Sequence, residues 1–271
     1  MAGLIHPAAH VDSGARLGSG VRVGPGAVIG ADVEIGDDCE IGAGAQVLGP
    51  TRMGRENRIF PLACVGFEPQ DLKYTGERSE LWIGDRNTIR ELATLNRGTA
   101  FGGGVTRAGD DNLFMAYSHV GHDSQVGSRT VFTNGATLAG HVEVADDATI
   151  GAMSAVHQFC RVGRHAYIGG FSVITLDALP FCRTVGQKPL CYGLNRIGLE
   201  RKGYTPADIS ELERAFRVLL RSGRNTSQAL DELRATAERS ADVDYLIEFV
   251  ASSRRGIIKA KRGGARGAGA D

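Results

Sequence analysis

The chain has 271 residues, 42% hydrophobic, with 38 glycines, only 6% aromatic residues and a formal net charge of zero. That length suits one large domain or two smaller ones, the neutral balance gives no global case for nucleic-acid binding, and no run reaches the ~18 apolar residues of a membrane span. The opening MAGLIHPAAH has no basic stretch leading an apolar run, so no signal peptide is expected.

Taken in chain order, the first element is a repeat. Aliphatic residues recur every six positions at Ile5, Val11, Leu17, Val23, Ile29, Ile35, Ile41, Val47, Met53, Ile59 and Val65. Small or β-branched residues sit four positions after these anchors, at Ala15, Val21, Ala27, Val33, Cys39 and Ala45, and Gly18, Gly24, Gly30, Gly36 and Gly42 follow anchors directly. An α-helix cannot hold such a stripe, because 3.6 residues per turn rotates it off one face. A triangular parallel β-helix can, with one hexad per side and 18 residues per coil. Successive coils then stack ~4.8 Å apart.

Residues 66–82 lose the anchors without changing the register, which returns at Ile83, Ile89 and Leu95. Residues 97–107 shift it by one, and it resumes from Ala108 through Phe114, Val120 and Val126 to Ile174. Both segments are predicted loops on a rigid scaffold, which is where binding residues often sit. The repeat domain is placed at 1–190. A helical domain follows at 191–258. Thr205 is its first N-cap, with Pro206 at N1 and Asp208 at N3. Further helices are expected over 226–239 and 242–255, the whole capping the C-terminal end of the prism. The basic tail 259–271 has no apolar period and is expected to be disordered.

An 18-residue coil stacks Val120, Leu138 and Val156 on one side of the prism. His119 and His122, His141 and His157 flank these anchors, so four of the seven histidines fall on one strip, ~5 Å apart from coil to coil. Three readings are open. The strip is outward polar surface; it holds zinc, as histidines do between subunits of γ-type carbonic anhydrases; or it supplies a general base. An imidazole titrates near ~6.5, and Asp123 beside His122 would fix its tautomer. The H-x-x-H spacing of His119 and His122 is not diagnostic of metal, and no Cys or Glu joins the strip at ligand spacing. Five cysteines without a C-x-x-C pair read as reduced thiols of a cytoplasmic protein.

The segments QDLKY (70–74), IGDRNTIRE (83–91), RGTAFGGGVT (97–106), HVGHD (119–123), TLAGHV (137–142), AVHQFCRVG (155–163) and GLERKG (198–203) resemble the UDP-N-acetylglucosamine O-acyltransferases that begin lipid A synthesis. The resemblance implies a left-handed β-helix with a helical cap, assembled as a homotrimer with each cleft between two subunits. It implies transfer of an R-3-hydroxyacyl group from acyl carrier protein to the 3-hydroxyl of UDP-N-acetylglucosamine, without metal or cofactor. His122 matches the general base, Asp123 its partner, and the Gly140 N–H the oxyanion donor. His119, His141, His157 and Gln158 match residues lining the sugar-nucleotide site. Asp71 and Lys73 match acceptor-binding positions that reach from a neighbouring subunit, and Asn195 and Arg201 match cap positions that hold the nucleotide. Gly170 matches the position limiting acyl length, where glycine leaves room for a long chain. The acyl carrier protein is acidic in the resemblance, and Arg214, Arg217, Arg221 and Arg224 offer it a landing surface.

Four positions depart from the resemblance. Asn96 stands where many members have His, Lys188 and Ile197 replace polar residues near the nucleotide, and Lys202 replaces Arg. Asn96 leaves N-acylation of a 3-amino acceptor as an alternative to the ester. A zinc hydratase and a non-catalytic scaffold are the readings from other classes.

Overall fold

A computed structural model describes residues 5–260. Short strands wind into three sheets of nine, eight and ten strands, parallel except for one antiparallel pair at the end of the third, which form the sides of a triangular prism. Face I runs from His10–Val11 through Thr94–Asn96, His119–Val120, Thr137–Leu138 and Ala155–Val156 to Val173–Ile174. Face II runs from Arg16–Leu17 to Arg161–Val162, and face III from Arg22–Val23 to Tyr167–Ile168 and onward. The winding is a left-handed parallel β-helix.

Each hexad makes one side. Its aliphatic anchor points inward, and Ile29, Val65, Leu95, Val120, Leu138, Val156 and Ile174 stack fully buried behind face I. Val120 pairs with Leu138, Leu138 with Val156 and Val156 with Ile174, so a regular lap takes 18 residues. Inside one corner the buried polar groups satisfy one another. Asn57 Oδ1 accepts from the Asn87 N–H, Asn87 Oδ1 from the Asn112 N–H, and Asn112 Oδ1 from the Thr130 N–H, at 2.8, 2.9 and 2.8 Å.

Glycine is abundant, yet many corners turn through non-glycine residues in the left-handed region, among them Asp123 (φ +61°), His141 (+60°) and Phe159 (+63°). Such a backbone costs about 1–3 kcal/mol per residue, and the stacked coil holds it, as when the His141 N–H donates to His122 O at 2.9 Å. Gly36 and Gly42 serve close approach instead: a Cβ on either would stand 2.7 Å from backbone of the next coil.

The two loops are narrower than predicted. Strands Cys64–Phe67 and Glu80–Ile83 consume both ends of the 66–82 segment, and strand Val105–Ala108 the end of 97–107. Val65 pairs with Leu95 and Leu95 with Val120, so the two laps with loops take 30 and 25 residues. The first loop adds two hexads' worth of chain. That is why the register survives it, although Ile83 lies on face II and not above Val65.

The helical part also begins later than residue 191. Cys182–Val185 and Leu190–Leu194 form an antiparallel hairpin that extends face III across that boundary. Helix α1 (Arg196–Arg201) follows, then α2 (Pro206–Arg221), α3 (Thr226–Ala235) and α4 (Ala241–Ala251). The α2 capping box joins Thr205 and Asp208 as their spacing suggests. Helices α3 and α4 stop four residues short of the expected ends. Ile209, Leu212, Phe216, Leu219, Leu230, Leu246 and Val250 bury against one another and continue the prism core through Phe181 and Leu199. Of the tail, Lys259 donates to Thr226 Oγ1 and Ala260 bridges Cys191; residues 261–271 lie outside the described part.

Candidate active site

The histidine strip lies along the edge where the chain leaves face I for face II. His119 occupies strand His119–Val120, where Thr94 Oγ1 lies 2.7 Å from its Nδ1. His122 begins the following corner, and Asp123, the left-handed residue there, is buried. One coil on, Gly140 and His141 occupy the same corner. The His122 and His141 rings meet edge to face with centroids 5.1 Å apart, and His141 stacks on Phe159 at 4.5 Å. His157 and Gln158 stand exposed on the next coil of that edge, with His157 Nδ1 3.1 Å from Gln158 O.

Asp123 organises this group. Its Oδ2 lies 2.8 Å from His122 Nδ1 and 3.7 Å from His141 Nε2. Burial would raise its pKa, but hydrogen bonds from His122 and from the backbone and hydroxyl of Thr99, with the nearby His141, hold it below the ordinary carboxylate range. Burial lowers the His119 pKa, helped by His122. Burial also lowers that of His141, against the opposing pull of Asp123 and Asp71.

Gly140 lies directly beneath the His122 ring. A Cβ there would stand 2.5 Å from Cε1 and 2.6 Å from Nε2, so only glycine leaves the imidazole in place. Among the described residues the Gly140 N–H donates to no protein acceptor.

The donor atoms of His122, Asp123 and His141 lie within 4.8 Å of one another. As a metal set they fit poorly. Oδ2 of Asp123 already takes the hydroxyl hydrogen of Thr99 at 2.7 Å and faces His122 Nδ1, and Oδ1 takes the Thr99 N–H at 2.8 Å. A cation would have to break this network, whereas a proton relay uses it as it stands.

Asp71 and Lys73 belong to the first loop, where Asp71 Oδ1 accepts the Lys73 N–H at 3.0 Å. The charge of Asp71 also acts on His141 of the same chain, where it opposes the effect of burial. Asn96 is buried at the root of that loop and donates to Glu68 O at 2.8 Å. Gly170 sits exposed at a corner between faces III and I. Lys188 is exposed at the turn of the terminal hairpin.

Asn195 and Arg201 lie elsewhere. They line a cleft of about 1000 Å³ between face III and helices α1 and α2, with Arg183, Arg196, Ile197 and Arg217. Asn195 caps α1, accepting from the Gly198 N–H at 3.3 Å. Glu213 is the sole acid among the described residues that line this cleft, and it pairs with Arg196. Lys202 turns away and bonds Asp147 at 2.6 Å. One chain thus carries the histidines on one edge and this basic cleft on another side.

Sequence reasoning missed Thr99 and Phe159. Phe159 lies 18 residues beyond His141, so coil arithmetic alone would have found it. Thr99 gave no periodic signal, because it lies in a loop.

The hexad prism with its helical cap is the fold of a hexapeptide-repeat acyltransferase, and the family descriptions agree. "Bacterial transferase hexapeptide (six repeats)" matches residues 14–49 and "Udp N-acetylglucosamine O-acyltransferase; Domain 2" matches residues 177–258. An acyl-[acyl-carrier-protein]–UDP-N-acetylglucosamine O-acyltransferase of Halorhodospira halophila is 47% identical over 255 residues, covering 94% of this chain and 99% of the relative. One from Alkalilimnicola ehrlichii is 49% identical over 197 residues, 73% of this chain and 76% of the relative. The solved UDP-N-acetylglucosamine acyltransferase of Francisella novicida superimposes with a TM-score of 0.92 at 36% identity, covering 94% of both chains. That of Campylobacter jejuni gives 0.90 at 38%, covering 95% of this chain and all of that one. The chain belongs to the UDP-N-acetylglucosamine O-acyltransferase family and is an acyltransferase.

Proposed function

We propose that the chain transfers an R-3-hydroxyacyl group from acyl carrier protein to the glucosamine 3-hydroxyl of UDP-N-acetylglucosamine, the first step of lipid A biosynthesis. The observation that carries this reading is the His122–Asp123 pair at 2.8 Å over Gly140, in a chain alike over nearly its whole length to relatives named for these substrates.

The acceptor 3-hydroxyl gives its proton to His122 Nε2 while Asp123 holds the Nδ1 proton and stabilises the imidazolium. The oxygen attacks the thioester carbonyl, and the charge that builds on the carbonyl oxygen meets the Gly140 N–H. Collapse expels the carrier thiolate, which takes the proton back from His122. His119, His141, His157 and Gln158 line the acceptor side with Asp71 and Lys73, and the chemistry uses no metal or cofactor.

The nucleotide falls to Asn195 and Arg201. Their cleft and the histidine edge lie on different sides of one prism, so a homotrimer that sets the edge of one subunit against the cleft of the next completes the site. Arg214, Arg217, Arg221 and Arg224 are the landing surface for the acidic carrier protein. Cytoplasmic placement accords with the five unpaired thiols; no helix among the described residues is long and apolar enough to cross a membrane.

The test is mass-spectrometric. Purified protein is incubated with a hydroxyacyl carrier protein and either UDP-N-acetylglucosamine or its 3-amino analogue. The ester product is expected, and amide with the analogue alone would move the acceptor to the amine. His122→Ala should lose ~10²–10⁴ in turnover and keep its fold; near-normal turnover would remove His122 from the base role.

A further inference from the structure

The second loop ends its excursion on the buried carboxylate behind His122. Thr99 is fully buried at the start of a single 3-10 turn, Ala100–Gly102. Its N–H donates to Asp123 Oδ1 at 2.8 Å, and its hydroxyl donates to Asp123 Oδ2 at 2.7 Å. The same hydroxyl accepts the Gly102 N–H at 3.1 Å. With its hydrogen and an acceptor lone pair both engaged, the hydroxyl cannot rotate away from the carboxylate. From the other side, the Asp123 N–H donates to Thr106 Oγ1 at 2.7 Å. Gly102 closes the cradle: a Cβ there would stand 2.0 Å from the Asp123 carboxyl carbon and 2.3 Å from either oxygen.

We infer that Thr99 is a positioning residue for the acyl transfer. It acts through Asp123 to hold the His122 imidazole in its reactive tautomer and direction, and Gly102 is the space that lets it do so. The argument rests on the proposed role of His122. Asp123 occupies a left-handed corner (φ +61°), so its side chain has little support from its own strand. The loop supplies that support through both carboxylate oxygens. Oδ2 serves Thr99 and His122 together, so a lateral shift of the carboxylate turns the ring that leans on it. A loop whose purpose was only to bind substrate would not need to bury a threonine beneath the base.

The test compares Thr99→Val, Thr99→Ser and Gly102→Ala with the unaltered full-length protein in steady-state acyl transfer. Thr99→Val keeps the volume and the backbone N–H but removes the hydroxyl. It should lower kcat by about 10-fold or more, the scale seen for outer partners of oriented imidazoles, with KM for UDP-N-acetylglucosamine unchanged. Thr99→Ser should recover most of kcat. Gly102→Ala should match or exceed the valine loss. A rise in KM at unchanged kcat would assign the loop to substrate binding and overturn the inference, as would a serine variant no better than valine. His122→Ala run alongside separates the two levels. If it is inactive while Thr99→Val is normal, only the positioning role fails; if it is active, the base reading fails.

Discussion

Gly140 and His122 occupy the same corner of successive coils, and the glycine's missing side chain is the floor on which the imidazole lies, with a Cβ site 2.5 Å from His122 Cε1. Gly140 is not among the residues in the left-handed region, so alanine there meets no backbone penalty of the kind that region imposes. Gly140→Ala should therefore fold and melt near the parent while its methyl group lifts the ring off Asp123. Turnover should fall by ~10² or more, since the base is displaced from its partner. Circular-dichroism melting and kcat on one preparation check this; a variant within about threefold of the parent in kcat would show that the ring has room to move.

Gly170 tests the acyl end of the proposed reaction. A Cβ there would stand 3.2 Å from Ala152 O and 3.8 Å from Ala152 N, with no other atom within 4 Å, so a side chain fits with a small local adjustment and projects outward. Gly170→Met should leave stability unchanged and lower kcat/KM for long hydroxyacyl donors while sparing short ones. A panel of acyl carrier proteins charged with different chain lengths measures the ratio, and an unchanged ratio would take the length limit away from this corner.

The prism was legible in the sequence because its constraint is strictly periodic. An inward anchor every six residues leaves no choice of face, and Val120, Leu138 and Val156 stack as that spacing requires. The same periodicity concealed how far round the prism the first loop carries the chain: its added length is a whole number of hexads, so the phase returned while the chain advanced only one side. The end of the repeat domain was misplaced for a related reason. The hairpin Cys182–Val185 with Leu190–Leu194 pairs antiparallel and follows an alternation of two instead of six. Site residues set by the coil, such as His122 and His141, came out of arithmetic. Thr99, set by where a loop returns, could come only from coordinates.

His165 carries a pH dependence. It stacks on Phe181 at 5.8 Å and meets Tyr204 edge-on at 5.3 Å, between prism and cap. Asp147, Arg164, Lys202 and Asp242 face it. Burial outweighs these charges and holds its pKa below the ordinary histidine value. The folded chain thus binds fewer protons here than the unfolded chain once pH falls below about 6.5. Stability from this group is complete above that value and is lost as pH falls toward the lowered folded pKa. His119 and His141 act in the same direction. Melting temperature should drop from pH 7.5 to 5.5, and His165→Asn should make the drop shallower even if it melts lower at pH 7.5. An equally steep variant would place the dependence on the other histidines.

Arg161 and Asp177 fasten the cap to the last coil. Asp177 is 1% exposed and accepts from the Arg161 N–H at 2.9 Å, from Arg161 Nε at 3.0 Å and from the Ser253 hydroxyl at 2.8 Å. The guanidinium continues to Phe249 O at 2.6 Å and lies over the Phe249 ring at 4.3 Å. Removing either partner leaves a charge uncompensated, but the two losses differ because their burial differs. Arg161→Ala strands the carboxylate of Asp177 in the interior and takes away the cover of Phe249, so it should cost about 3–5 kcal/mol. Asp177→Asn leaves an arginine whose side chain is 20% exposed and which keeps its carbonyl partner, so it should cost less. Urea denaturation of both variants gives the two values. The order Arg161→Ala above Asp177→Asn is the outcome expected of a buried acid held by a less buried base, and the reverse order would mean that the arginine's bonds to α4 hold without the acid.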